Sequence, residues 1–138
     1  MKNILIKFLA ICLVLFSCSK ENKVKRDLDG KWNFVSYNGI PSTDPSDLFY
    51  MEFNKKKSTF KMHTSNSSTA YNEIIEGSFV VKGDHYNNLE MVGHNVSTYE
   101  QEEIYWTIVK VDKDELILSP SPGINGSNPD DVLIFNKE

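Results

Sequence analysis

Few residues in this chain carry chemistry. Among its 138 residues are two cysteines, Cys12 and Cys18, and three histidines, His63, His85 and His94. The histidines, with Glu52 or Glu90, could gather at one rim to bind a metal. Their spacing is not that of a compact site, and no cysteine follows Cys18 to complete one, so they read as exposed loop or strand-end side chains. No metal and no cofactor are expected. Glu102-Glu103 and Asp130-Asp131 are adjacent carboxylates of the kind used for acid–base work. Neighbours in a strand face opposite sides, however, and both pairs read as solvated surface charge. No nucleophile elbow, phosphate loop, dinucleotide fingerprint or zinc-helix motif occurs. Catalysis is therefore not expected, and Cys18 remains as the residue with assignable chemistry.

Cys18 ends a short apolar run. Lys2 and Lys7 precede it, Phe8 to Phe16 is uncharged, and Ser17 is the small residue expected before a cleavage point. These are the parts of a secretion signal. A transmembrane anchor is disfavoured, because nine uncharged residues fall far short of the ~20 a spanning helix needs. An ordinary signal with an incidental cysteine would leave an unpaired thiol in an oxidising compartment, which secreted proteins avoid. The tetrad Leu15-Phe16-Ser17-Cys18 resembles the lipobox of bacterial lipoproteins, with Phe16 larger than the residue usual there. That resemblance implies cleavage before Cys18 and acyl chains on it. Each buried CH₂ contributes roughly 0.8 kcal/mol, so two or three chains hold a protein on a membrane essentially permanently. The expected location is the cell outer membrane, with the periplasmic or surface face undetermined.

Loss of residues 1–17 removes Lys2 and Lys7 and no acid, moving the formal net charge from −4 to −6. A nucleic-acid partner would require a basic footprint and is not expected. Residues 18–28 read as a lipidated cysteine and a charged tether. Lys20, Lys23, Lys25 and Arg26 lie close enough to Cys18 to touch anionic head groups. Glu21 and Asp27, with Asp29 just beyond, dilute them, so a plain solvated spacer is the simpler reading. Residues 29–138 leave about 110 residues, enough for a real core without disulfides.

From Gly30 the chain alternates apolar and polar residues between Asn, Asp, Gly, Ser and Pro clusters, the pattern of short strands. Trp32, Phe34 and Ser36 share one face of the first. Asn38-Gly39 predicts a turn, and Pro41 and Pro45 a loop. Phe49, Met51 and Phe53 share a face, as do Phe60 and Met62. Residues 64–71 (TSNSSTAY) read as loop, and Glu73 to Lys82 as a strand carrying Phe79 and Val81. Further strands hold Leu89 and Met91, then Ile104, Trp106 and Ile108, then Leu116 and Leu118, then Val132 to Asn136. Eight short strands in succession suggest an antiparallel meander, and closure into a barrel removes its two exposed edges. No helix of any length is expected past residue 20.

Leu28-Asp29-Gly30-Lys31-Trp32, followed by Val35-Ser36-Tyr37-Asn38-Gly39, resembles the opening of lipocalin-like domains in small bacterial lipoproteins. Gly30-Lys31-Trp32 is similar to the GxW signature that starts the first lipocalin strand. The fold so implied is all-β, an eight-stranded antiparallel up-and-down lipocalin-like barrel after an N-terminal lipoprotein signal peptide. Trp32 would pack across its closed end. Such a barrel binds small apolar molecules in its interior, but the resemblance names no ligand.

The candidate lining is Trp32, Phe34, Phe49, Met51, Phe53, Phe60, Met62, Phe79 and Trp106. Methionines suit adaptable pockets, yet a domain of this size needs about as many large side chains simply to fill its core. Two functions follow. One is a membrane-anchored carrier of a small apolar ligand. The other is an envelope interaction or inhibitor module with a filled barrel and an unidentified protein partner. Loops 39–47, 64–72 and 119–130 are long enough for the second.

Overall fold

The computed structural model describes residues 20–42, 48–66, 70–121 and 130–138; Cys18 and the expected signal peptide lie outside them. The alternating segments form β1 (Gly30–Tyr37), β2 (Ile40–Pro41), β3 (Leu48–Asn54), β4 (Thr59–Asn66), β5 (Tyr71–Lys82), β6 (Asn88–Asn95), β7 (Gln101–Val111), β8 (Glu115–Pro120) and β9 (Leu133–Lys137). All pairings are antiparallel and run in chain order, and β1 also pairs with β9. The result is a closed barrel of eight strands, β1 and β3 to β9, with β2 as a short extra strand on β1. This is the all-β architecture expected from the alternation.

Closure satisfies the backbone of β1 on both edges, so no long edge is left for foreign pairing. At the β1–β9 seam Trp32 faces Lys137 and Phe34 faces Phe135, with a register shift before Ser36. Lys31 and Glu138 form an ion pair beside the seam; it raises the Lys31 pKa and lowers that of Glu138.

Strand polarity gives the barrel two distinct ends. The start of β1, the turns at 55–58, 83–87 and 112–114, and the C-terminus share one end. The β2–β3, β4–β5, β6–β7 and β8–β9 connections share the other. The first is closed. A helix, α1, runs through 20–28 and packs Leu28 into the core, with Val24 one turn earlier against it. Trp32 Nε1 donates to the Leu28 carbonyl at 2.7 Å, and Lys137 Nζ sits 4.9 Å over the indole ring. The charged tether is thus not the plain spacer expected, nor is the chain without helix past residue 20. Two apolar residues at i and i+4 find a tertiary site, which outweighs weak local periodicity.

Two smaller differences have similar causes. Residues 64–66 and 71 are paired strand rather than loop, with Asn66 opposite Tyr71. Polar side chains are tolerated there because the ladder is made by backbone, and the strand end is not sealed by core. Ile40 and Pro41 pair with Tyr37 and Ser36 instead of opening a loop. A proline is acceptable on such an edge strand. The Asn38-Gly39 turn is as expected, both residues having positive φ (49° and 75°), as a two-residue hairpin of matching twist demands.

One close approach sets a limit on sequence. Gly77 and Gly93 face each other across β5 and β6. A Cβ on Gly77 would stand 2.1 Å from the Val92 carbonyl oxygen, and one on Gly93 3.0 Å from Phe60 Cζ. The Phe60 ring therefore covers the glycine pair from the inside, filling space that side chains on β5 and β6 would otherwise take.

Candidate functional site

The nine candidate lining residues all face inward, at two depths. Trp32, Met51, Phe53, Phe60 and Phe79 are fully buried and, with Leu89, Met91, Leu116 and Leu118, fill the closed half as packed core. Phe53 and Phe79 meet edge to face with centroids 5.2 Å apart. Phe34, Phe49, Met62 and Trp106 are only half-buried, and so is Ile104 beside them. Side chains that point into a closed barrel yet still touch solvent mark its open end.

The floor of that open end is aromatic. Phe34, Phe49 and Phe135 contact one another with centroids 5.3 to 5.6 Å apart, in tilted and edge-on pairs. Such pairs add roughly 0.5–1.5 kcal/mol beyond their burial. Phe135 was not among the expected lining residues. Its parity with Leu133 along β9 is the signal that points to it.

Trp106 forms part of the wall. β7 pairs it with Leu89 on one side and Pro120 on the other, and Ile104 stands two residues nearer the mouth, opposite Met91. Trp106 Nε1 is buried and has no hydrogen-bond partner among the described residues. An orphaned buried donor costs about 1–3 kcal/mol, so native proteins rarely keep one without use.

The rim is polar and tightly built. Asn95 is buried; its Nδ2 donates to Glu73 Oε1 at 2.8 Å, and its Oδ1 accepts from the Ser97 and Thr98 amides at 2.9 and 3.2 Å. That pattern pins the β6–β7 connection. On the opposite side Asn38 Nδ2 donates to Asp131 Oδ1 at 3.0 Å, and Asn38 Oδ1 accepts from the Val132 amide at 2.6 Å. Tyr37 also donates to Asp131, which raises the Tyr37 pKa, while Tyr37 and Asn38 together lower that of Asp131. Asp130 and Asp131 precede β9 rather than lying in a strand. Glu102 is half-buried on the Ile104 face of β7, while Glu103 is exposed and accepts from Tyr105.

The histidines do not converge. His63 contacts Asn72 and the Tyr50 ring, His85 is exposed in a closed-end turn, and His94 is exposed on the outer wall. No group of three His, Cys, Asp or Glu side chains is placed to hold a metal among the described residues.

A separate groove of about 520 Å³ lies on the outside of the barrel, where Glu52, Lys61, Glu76 and His94 form one cross-strand row beside Gly77. Its walls are charged, with Lys61 and Glu76 paired at 3.4 Å, so it does not suit an apolar ligand. The open end suits one better: among the described residues it has apolar side chains that face inward, the unsatisfied Trp106 donor and a polar rim, the composition of small-molecule sites.

No helix among the described residues is long and apolar enough to cross a membrane. Comparison with family models, curated proteins and solved structures finds no match to this chain.

Proposed function

We propose that this protein is a lipoprotein of the cell outer membrane, held by acyl chains on Cys18, whose lipocalin-like barrel binds a small apolar ligand at its open end without transforming it. The observation that carries the binding role is Trp106: a buried donor without a partner, among inward-facing apolar side chains that still reach solvent. The ligand supplies the missing acceptor. Its polar group is uncharged, because the described open-end residues include Glu73, Glu100, Glu102, Glu103, Asp130 and Asp131 and no Lys or Arg. An ester or amide fits this surface, and a free carboxylate or phosphate is repelled by it.

Native mass spectrometry of the full-length protein purified from membranes tests the role. A co-purifying small molecule is expected, and fatty-acid methyl esters should bind more tightly than the corresponding acids. A clean apo mass with no response to either ligand would overturn the reading. Cys18→Ala should abolish acyl labelling and release the protein from membranes; unchanged labelling would overturn the anchor.

One observation favours the rival reading of an interaction module. The Phe34, Phe49 and Phe135 rings from three strands pack on one another inside the barrel, taking up interior space that a ligand would otherwise use. Tyr99 and Ile40 stand 81% and 67% exposed at the same end, as side chains that contact a protein would. Tyr99→Ala would then weaken partner binding while leaving ligand affinity unchanged.

A further inference from the structure

The charges of this barrel are sorted by end. Between residues 20 and 138 every Lys and Arg except Lys61 lies in α1, in a closed-end turn, or within the two strand residues nearest that end. By the same two-residue measure the described open end holds four carboxylates, Glu100, Glu102, Asp130 and Asp131, with Glu73 and Glu103 one residue further in, and no Lys or Arg. The closed end has acids too, but most are engaged: Glu138 with Lys31, Asp112 and Glu115 with Lys110, and Asp114 with Lys113.

Helix α1 sharpens the asymmetry. Its inner face carries Val24 and Leu28 together with Glu21 and Lys25, which pair at 2.7 Å. Its outer face carries the exposed Lys20, Lys23 and Arg26 at three-residue spacing. Of the acids along this segment, Glu21 pairs with Lys25 on the inner face, Asp27 pairs with Arg26 at 3.4 Å, and Asp29 is held at the Lys55 amide, which leaves Lys20 and Lys23 as the unpaired cations of the helix among the described residues. The β3–β4 turn adds Lys55, Lys56 and Lys57. Asp29 Oδ1 accepts from the Lys55 amide at 2.7 Å, which fixes this turn beside the C-terminal end of α1. Lys20, Lys23, Lys56 and Lys57 make no ion pair among the described residues.

We infer that the closed end, through the outer face of α1 and the Lys55–Lys57 turn, docks on an anionic lipid surface and points the open end away from the bilayer. The lipid identity of the occupant rests on the proposed anchor at Cys18. Cys18 precedes Lys20 by two residues, a reach of at most about 7 Å. That is within the ~8–10 Å over which charges act at physiological salt. A chain held there keeps Lys20 in range, laying α1 along the surface brings Lys23 and the Lys55–Lys57 turn, about 12 Å further along the helix, into range as well, and the acidic rim at the other end is repelled by the same surface. A free polyanion is a poorer occupant, given the formal net charge of −6 once residues 1–17 are removed.

Amine footprinting of the full-length, acylated protein on phosphatidylcholine vesicles, with and without phosphatidylglycerol, tests the docking. Lys23, Lys56 and Lys57 should label roughly fivefold more slowly on the anionic vesicles, the effect of about 1 kcal/mol per surface cation. Lys61, three residues into β4 and paired with Glu76 on the outer wall, should label at a rate changed less than that of Lys56 and serves as the internal reference. Salt near 1 M, which shortens the screening length to about 3 Å, should restore the labelling. The triple variant Lys23→Glu, Lys56→Glu, Lys57→Glu should lose the protection of Lys20 at unchanged melting temperature.

Vesicle pelleting reads the anchor separately. A chain that pellets on both vesicle types but labels Lys56 and Lys61 alike overturns the docking and leaves the anchor standing. Pelleting on anionic vesicles alone, with Lys56 protected, supports the docking and overturns the anchor. Pelleting on neither overturns both. Protection by heparin but not by vesicles overturns the lipid surface in favour of an acidic polymer.

Discussion

Replacing Trp32 by Phe should detach the helix that closes the barrel. Trp32 is fully buried, and its Nε1 is the donor to the Leu28 carbonyl at the end of α1. Phenylalanine keeps an aromatic ring but leaves that carbonyl without this partner, at about 1–3 kcal/mol. The smaller ring also leaves a void against Leu28, worth about 1 kcal/mol where the surroundings collapse only in part. The contact with Lys137 weakens as well, since indole is the better cation–π face. The sum is about 2–4 kcal/mol, a large share of the roughly 5–15 kcal/mol typical of a folded domain. Urea unfolding of the full-length protein and of its Trp32→Phe variant measures the loss directly. Trypsin gives the mechanism, because Lys23 and Arg26 should be cut faster once α1 is loosened. A loss below ~1 kcal/mol, with α1 cut no faster, would refute the role assigned to this hydrogen bond.

The same substitution at the other tryptophan should have the opposite sign: Trp106→Phe removes a buried donor that has no partner, so the ligand-free protein should be unchanged or up to ~1 kcal/mol more stable by urea titration, while ester binding weakens. Gly77→Ala should cost about 3 kcal/mol or more, since its Cβ would meet the Val92 carbonyl oxygen at 2.1 Å, whereas Gly39→Ala, with open space and only a positive φ to strain, should cost about 1 kcal/mol; urea titration of both variants checks the contrast. Asp112 accepts from the Asp114 and Glu115 amides and pairs with Lys110, which pushes its pKa from 3.8 down to about 2. Its contribution to stability is therefore complete above about pH 4 and lost as pH falls through about 2, and Asp112→Asn should flatten the stability profile across that window in acid titrations followed by circular dichroism.

The strands were legible because a half-buried strand writes its two faces into alternate residues. Trp32 with Phe34, Met51 with Phe53, and Ile104 with Trp106 and Ile108 all face inward as that period requires. Depth along the barrel axis is a different quantity. Phe53 and Phe49 have the same parity on β3, yet Phe53 is core and Phe49 borders the mouth. The difference comes from where each strand meets its neighbours, and no local pattern records it. A filled barrel and a hollow one were therefore both compatible with the nine candidate residues. It takes the Phe34, Phe49 and Phe135 cluster, contributed by three separate strands, to show where the packed core passes into side chains that are only half-buried.

Helix α1 was illegible for a related reason. Val24 and Leu28 are its only apolar residues, too few to produce a helical period within a charged segment, and what holds them is a tertiary contact with Trp32. The charge asymmetry follows the same logic at a larger scale. Lys31, Lys55, Lys82, Lys113 and Lys137 are scattered along the chain and look like ordinary surface charge. In an antiparallel meander every second connection returns to the same end, so residues about two strands apart in sequence become neighbours in space. Once β1 and β9 close the barrel, these lysines share the end that α1 covers. The asymmetry thus belongs jointly to composition and topology: the same residues on an open sheet, or with α1 undocked, would present no basic face.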